Sequence, residues 1–246
     1  MTTLPGKRPA GARSFRLVGA VLAGGEARRF GADKTAAEVG GVPMLERAVE
    51  ALGGPCDEVV VVSSRAGTPG GPWRVIPDLR PGRGPLAGIE AALSALAKQA
   101  SDGRATGAAG AGRRPDAVVV LAADMPFVGP LAVAQLVSAY DGADAGTLAV
   151  AAARKGDPPY EPLCAVYSLP CLPIAGRLLD QGRSAARDLF SEVAGVTVEI
   201  GGDAASVNVN TPADREAADA RLREGTRPAA ASSRSVRAGP SSKGAE

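Results

Sequence analysis

Histidine is absent from this chain. That removes His-based general acid–base catalysis, Ser-His-Asp and Cys-His nucleophile systems, and zinc sites that need imidazole. Cysteine is scarce: Cys56, Cys164 and Cys171 are the whole set of three, with no C-x-x-C spacing. An odd count in that pattern argues against a disulfide framework, fits a reducing cytoplasm, and reads each thiol as a small buried hydrophobe. Aromatic residues make up only 3% of the chain, so Ala, Val and Leu must fill most of any core. No uncharged apolar run reaches the length of a membrane span. Net charge is +2, too balanced for bulk binding to nucleic acid or a membrane surface. The basic start followed by residues 17–23 superficially mimics a signal peptide, but cleavage there would destroy the motif described next.

What is present is a hydrophobic fraction of 45% over 246 residues, enough for one sizeable α/β domain. Its most informative stretch is Leu22-Ala23-Gly24-Gly25-Glu26-Ala27-Arg28-Arg29-Phe30-Gly31-Ala32-Asp33-Lys34. An apolar run over 17–22 leads in and reads as a short buried strand. Gly24 and Gly25 remove side chains where that strand ends, so amide N–H groups can approach phosphate oxygens. Arg28, Arg29 and Lys34 add positive charge in the same loop, which suits a nucleoside triphosphate. The P-loop pattern is not met, because Asp33 stands where Gly must precede the Lys, and adjacent glycines exclude G-x-G-x-x-G. The competing reading is an ordinary strand-to-loop turn with solvated charges.

Along the chain, residues 1–16 read as a disordered leader, 17–224 as one domain, 101–116 as a flexible low-complexity insertion, and 225–246 as a disordered tail. Strands are predicted over 17–22, 58–63, 73–76, 117–122, 148–153, 164–167 and 196–200. Helices are predicted near 44–52, 86–100, 130–140, 172–181, 184–193 and 211–223, with Thr211 as a cap. Residues 35–41 read as a connection, and 154–162 as a polar, proline-rich loop near an acceptor. The alternation implies an α/β fold: a single doubly wound, mostly parallel sheet with helices on both faces.

In such sheets ligands bind beyond the carboxyl ends of strands. The glycine loop, Asp78 and Asp124 all follow predicted strands, so they belong on one rim. Asp124, before Met125-Pro126, can hold Mg²⁺ there, since magnesium takes hard oxygen ligands; a cap or surface turn is the alternative. Asp78 is equally readable as a loop aspartate before Pro81. Gly84 and Pro85 open a helix whose N-terminus can receive an anion or a base edge, or is simply a helix start. Asn208 and Asn210, in alternation, would share one face of a strand, or serve turns and caps.

These motifs together resemble the molybdenum cofactor guanylyltransferase family, a branch of the Rossmann-like nucleotidyltransferases. The likeness lies in L-A-G-G at Leu22–Gly25, R-x-G-x-D-K at Arg29–Lys34, L-x-x-D-x-P around Asp124, G-P-L-A-G at Gly84–Gly88 and N-V-N-T-P at Asn208–Pro212, and it covers roughly 17–222. The resemblance implies transfer of GMP from GTP to the phosphate of molybdenum-bearing molybdopterin, with pyrophosphate released and Mg²⁺ as cofactor. It implies backbone contacts to the guanine nucleotide at Leu22, Ala23 and Gly24, and nucleotide contacts at Gly25, Lys34, Asp78 and Gly84. It implies magnesium on Asp124, and Asn208 and Asn210 near the acceptor or metal. Arg28, Arg29 and Lys34 would stabilise the leaving pyrophosphate. Expected partners are the two substrates, with transient contact to molybdenum-insertion or recipient molybdoenzyme proteins. CTP or another phosphate acceptor, or non-catalytic nucleotide binding, are the alternatives. One departure stands out: Val62-Ser63-Ser64-Arg65 occupies a place where many guanylyltransferases carry asparagine.

Overall fold

The two strongest apolar runs, 17–22 and 117–122, lie side by side in the middle of a seven-stranded sheet. The computed structural model of the chain describes residues 15–23, 37–63, 71–104, 114–202 and 204–226. In it β1 (Leu17–Leu22) sits between β4 (Glu58–Ser63) and β6 (Ala117–Ala122), parallel to both. Next to β4 lies β5 (Arg74–Pro77), also parallel. On the far side of β6 comes β8 (Tyr160–Ser168), antiparallel, then β7 (Ala149–Ala153) and β9 (Val196–Val198). The order is β5-β4-β1-β6-β8-β7-β9, and β8 is the one reversed strand of that sheet. The predicted mostly parallel sheet is therefore observed.

Burial explains why the central strands are apolar throughout rather than alternating. Val21, Val119 and Leu121 face one core with α1 (Met44–Gly53) and α3 (Pro130–Gly142). Val18, Ala20, Val118 and Val120 face a second core with α2 (Pro85–Gln99), α4 (Cys171–Asp180) and α5 (Ala186–Glu192). Leu45, Ala48, Val49 and Leu52 are all buried, as their helical spacing predicts. All three cysteines are free and buried, confirming them as core residues. Among the described residues no helix is long and apolar enough to cross a membrane.

Several boundaries differ from expectation. Residues 35–41 were expected as a plain connection, yet β2 (Glu38–Val39) and β3 (Val42–Pro43) form a small antiparallel hairpin. Its two-residue turn places Gly40 and Gly41 at φ +62 and +73, the left-handed pair that such turns require. Strands this short leave no alternating signature to read. α6 (Pro212–Thr226) covers the hairpin: Gly40 N donates to Asp219 Oδ1 at 2.6 Å, and Val39, Met44, Val209 and Ala218 form a separate small core. Strand β8 begins at Tyr160, so the expected 154–162 loop is shorter than predicted.

At the rim opposite the site, Phe15 is buried edge-on against Tyr140, and Arg16 N donates to Asp116 Oδ1 at 2.7 Å. Arg114 is buried too, stacking on Tyr140 and donating to the carbonyls of Ala143, Asp144 and Thr147 beyond the end of α3. A cation there complements the negative helix terminus. These contacts place residues 15–16 and 114–116, assigned by composition to leader and insertion, against the folded body. Residues 100–104 continue from α2 as one wider helical turn. The remainder of the predicted leader, insertion and tail lies outside the described residues.

Gly19 shows how tightly α1 meets β1: a Cβ there would lie 2.9 Å from Leu52 Cβ and 3.2 Å from Cys56 Sγ. Gly19→Ala should therefore destabilise the fold by about 1–3 kcal/mol through overpacking. Urea denaturation checks this, with a lower midpoint expected at an unchanged m-value.

Candidate active site on the carboxyl rim

The carboxyl ends of β5, β4, β1, β6 and β7 and the start of the reversed β8 all lie on one rim. Backbone bonds continue past the strands and knit it together. Ala23 N donates to Val62 O at 3.0 Å, Ala123 N to Leu22 O at 3.3 Å, and Asp78 N to Ser63 O at 3.2 Å. Leu22, Ala23, Asp78 and Asp124, widely separated in the chain, thus meet on one edge, as the doubly wound reading predicted. Asp78 is half-buried, and its Oδ1 accepts from Arg80 N at 2.9 Å, fixing the turn that follows. Ser63 is buried where the expected asparagine would stand, with its carbonyl taken by Asp78. Gly24, Gly25, Arg28, Arg29, Lys34, Ser64 and Arg65 lie outside the described residues.

Asp124 is half-buried two residues past the end of β6. Its carbonyl accepts from Val209 N at 2.9 Å, which brings the late Asn208-Val209-Asn210 segment onto the same spot. Asn208 and Asn210 were expected on one face of a strand. The segment is instead irregular, held on one side by the fully buried Val209 and on the other by a capping box. In that box Asp214 N donates to Thr211 Oγ1 at 3.1 Å, while Asp214 Oδ2 accepts from Thr211 N at 2.8 Å and Asn210 N at 2.9 Å. Thr211 is thus the cap that its residue type predicted. Asn208 is half-buried and its Oδ1 is enclosed without a hydrogen-bond partner.

The head of α2 has the second of its two expected characters, a helix start tied into the fold. Leu86 N donates to Ser184 O at 3.1 Å and Ala87 N to Gly84 O at 3.2 Å, while Pro85 has no N–H. The first amides of the helix are therefore engaged by the chain itself rather than presented to an anion. Gly84 has a packing reason to be glycine: its φ is +74, and a Cβ would lie 2.9 Å from Ser184 O.

Two rim residues escaped the sequence reading, Arg154 and Glu161. Glu161 lies beyond Cys164, the last β8 residue paired with β6, and near enough to Asp124 for the two charges to interact. Glu161 is buried at 5% exposure; its Oε1 accepts from Leu163 N at 3.0 Å and its Oε2 pairs with Arg154 Nη1 at 3.1 Å. Burial pushes its carboxyl above the ordinary range, the Leu163 N–H and Arg154 oppose this, and the charge of nearby Asp124 adds to the rise. The signal available was an acid followed directly by Pro162 at the mouth of an apolar strand, but nothing local states that the strand runs backwards.

A separate open cleft of about 880 Å³, lined by Gly40, Arg47, Phe127, Asp219 and Arg221 among others, lies between the hairpin and α6. None of the residues singled out from the sequence lines it.

The fold and the family are shared with known proteins. The family model of the MobA-like NTP transferase domain matches residues 19–196. A molybdenum cofactor guanylyltransferase of Cereibacter sphaeroides is 30% identical over 85% of this chain and 99% of its own length. Another, from Desulfosudis oleivorans, is 28% identical over 85% and 97%. The crystal structure of molybdopterin-guanine dinucleotide biosynthesis protein A from Archaeoglobus fulgidus superposes with a TM-score of 0.63 at 26% identity, covering 84% of this chain and 99% of that one. A cytidylyltransferase from Thermus thermophilus, at 17% identity and a TM-score of 0.55, shares the fold.

The site contains no accessible thiol chemistry. Burial pushes Cys164 up to about 12 and Cys171 up to about 11. Ellman's reagent at pH 8 should leave both unmodified in the folded protein and titrate them once urea unfolds it; rapid labelling of either in the native state would contradict the buried geometry.

Proposed function

We propose that this chain, which belongs to the molybdenum cofactor guanylyltransferase family of MobA-like NTP transferases, transfers GMP from GTP to the terminal phosphate of molybdenum-bearing molybdopterin. The observation that carries the reading is the meeting of Leu22, Ala23, Asp78, Asp124 and Asn208 on one rim. A phosphate oxygen of the acceptor attacks the α-phosphorus of GTP and forms a P–O–P linkage. The bond between the α-phosphorus and its bridging oxygen breaks, and pyrophosphate leaves with the electron pair. The nucleophile is already an anion, so the absence of histidine removes nothing the reaction needs. What the protein must supply is alignment and charge stabilisation.

The nucleotide is assigned to the β5-β4-β1 half of the rim. The glycines Gly24 and Gly25 suit its phosphates, Arg28, Arg29 and Lys34 the departing pyrophosphate, and Asp78 the nucleoside; the motif and its place after β1 support these roles. Gly84 contributes by letting the α2 head pack closely against Ser184. The residues fit a divalent cation by donor chemistry. A carboxylate on Asp124 lies beside a segment whose Asn208 Oδ1 is enclosed without a partner, and magnesium favours such hard oxygens. Asp124, with Asn208 or Asn210, would hold Mg²⁺, which when bound offsets negative charge on the reacting phosphates.

The test is release of pyrophosphate by the purified chain with GTP or CTP, each with and without molybdenum-bearing molybdopterin. Turnover is expected with GTP and only when the acceptor is present. Asp124→Ala should lower kcat by about 100-fold or more, in the range for loss of an electrostatic stabiliser, with an unchanged circular dichroism spectrum. Full turnover by that variant would remove Asp124 from the mechanism.

A further inference from the structure

The rim has two halves separated by β6. Leu22, Ala23, Ser63 and Asp78 belong to β1, β4 and β5 or their ends, on one side. Arg154 follows β7 and Glu161 opens β8, on the other. At about 4.8 Å per strand step, Arg154 lies roughly 10 Å from the line of β6 and about 19 Å from that of β4. An arginine side chain spans the first distance to a group beside Asp124 and falls well short of the second.

The Arg154–Glu161 pair is built in detail. Both oxygens of Glu161 are committed, Oε1 to the Leu163 N–H and Oε2 to Arg154 Nη1 at 3.1 Å. The acid is thereby engaged in holding the guanidinium. Arg154 is only partly satisfied in return: its Nε is enclosed with no acceptor, and its side chain keeps 26% exposure. Burying a donor unpaired costs about 1–3 kcal/mol, so such a group calls for a partner the chain does not supply. Gly156, at φ +120, packs against the guanidinium: a Cβ there would already touch Arg154 Nη2 at 3.4 Å, so glycine keeps that side of the arginine uncrowded. Lys155, exposed next in the chain, adds a second cation. This is a planar, positively charged group, aligned by a buried carboxylate through Nη1 and still 26% exposed, on the half of the rim away from the nucleotide. Its geometry matches a phosphate monoester, which arginine binds through paired N–H···O bonds.

We infer that Arg154, aligned by Glu161, binds the phosphate of the acceptor and holds it for attack, with Glu161 as the positioning residue. The inference rests on the guanylyl-transfer reading for the identity of that phosphate, while its binding test does not need turnover. Arg154 touches the nucleophile's non-attacking oxygens and lowers the repulsion between two anions brought together at Asp124.

The experiment measures equilibrium binding of molybdenum-bearing molybdopterin to the full chain without GTP, binding of Mg²⁺–GTP in parallel, and steady-state kinetics with each substrate varied. Arg154→Ala should weaken acceptor binding and raise its KM roughly ten- to a hundredfold, the worth of a charge-assisted pair, with GTP binding unchanged. Arg154→Lys should recover part of the loss, because it restores charge without the fork. Glu161→Gln keeps one acceptor oxygen where two are engaged, so it can serve the Leu163 N–H but loses the charge and the second oxygen that hold Arg154, and should give a smaller, severalfold loss confined to the acceptor. Unfolding midpoints of all three, measured together, separate these effects from loss of fold. Acceptor binding unchanged in Arg154→Ala, or GTP binding weakened equally in the conservative variants, would overturn the inference. Wild-type protein that binds the acceptor through Arg154 but releases no pyrophosphate would support the inference and overturn guanylyl transfer.

Discussion

A single backbone hydrogen bond, from Val209 N to the Asp124 carbonyl, closes the site. It joins the end of the central strand β6 to a segment some eighty residues later in the chain, and the polar residues around Asp124 depend on that closure. The bond survives because both flanks of Val209 are constrained. Its side chain is buried with Val39, Met44 and Ala218, and the Thr211–Asp214 capping box fixes the backbone at Asn210. Closing so long a loop is entropically costly, and the apolar contacts under α6 oppose that cost. The small β2–β3 hairpin, peripheral to the sheet, thus helps place this segment: through Val39 it contributes to the apolar seat on which Val209 rests.

Electrostatics divide the rim as clearly as topology does. On the nucleotide half, the described groups include backbone carbonyls and amides, Ser63, Asp78 and the Arg80 ion pairs with Glu90 and Asp180, the basic loop after β1 falling outside them. On the other half, Glu161 and Arg154 form an ion pair in a largely enclosed setting, with Asp124 close enough to raise the Glu161 carboxyl further. A buried pair of this kind is weak evidence for stability, because desolvation offsets much of the attraction. Its place at the mouth of β8, beside a half-buried aspartate, makes a functional explanation the more economical one.

Much of this was legible beforehand, and the parts that were not share a cause. Strands β1, β4 and β6 announce themselves because burial on both faces makes them continuous apolar runs, and Asp78 and Asp124 follow from the rule that ligands gather beyond strand ends. The direction of β8 was illegible: a run such as Cys164-Ala165-Val166-Tyr167 reads the same whichever way it crosses the sheet. That hid Glu161, which would belong to the opposite rim if β8 were parallel. The packing role of Gly84 was hidden for a similar reason: its close neighbour is Ser184, a hundred residues away. The asparagines were read from period-2 alternation, which survives here only as a buried Val209 between two polar neighbours, without a strand.

The reversal of β8 has an evolutionary corollary. Because β7 and β8 are joined by a tight connection at the rim, rather than by a helix crossing to the far end, the segment carrying Arg154, Lys155 and Gly156 is a local loop hung on an antiparallel pair. It can lengthen, shorten or change its charge without re-registering the parallel strands or disturbing the opposite half. A scaffold arranged this way can diversify what it modifies while conserving what it takes the modifying group from.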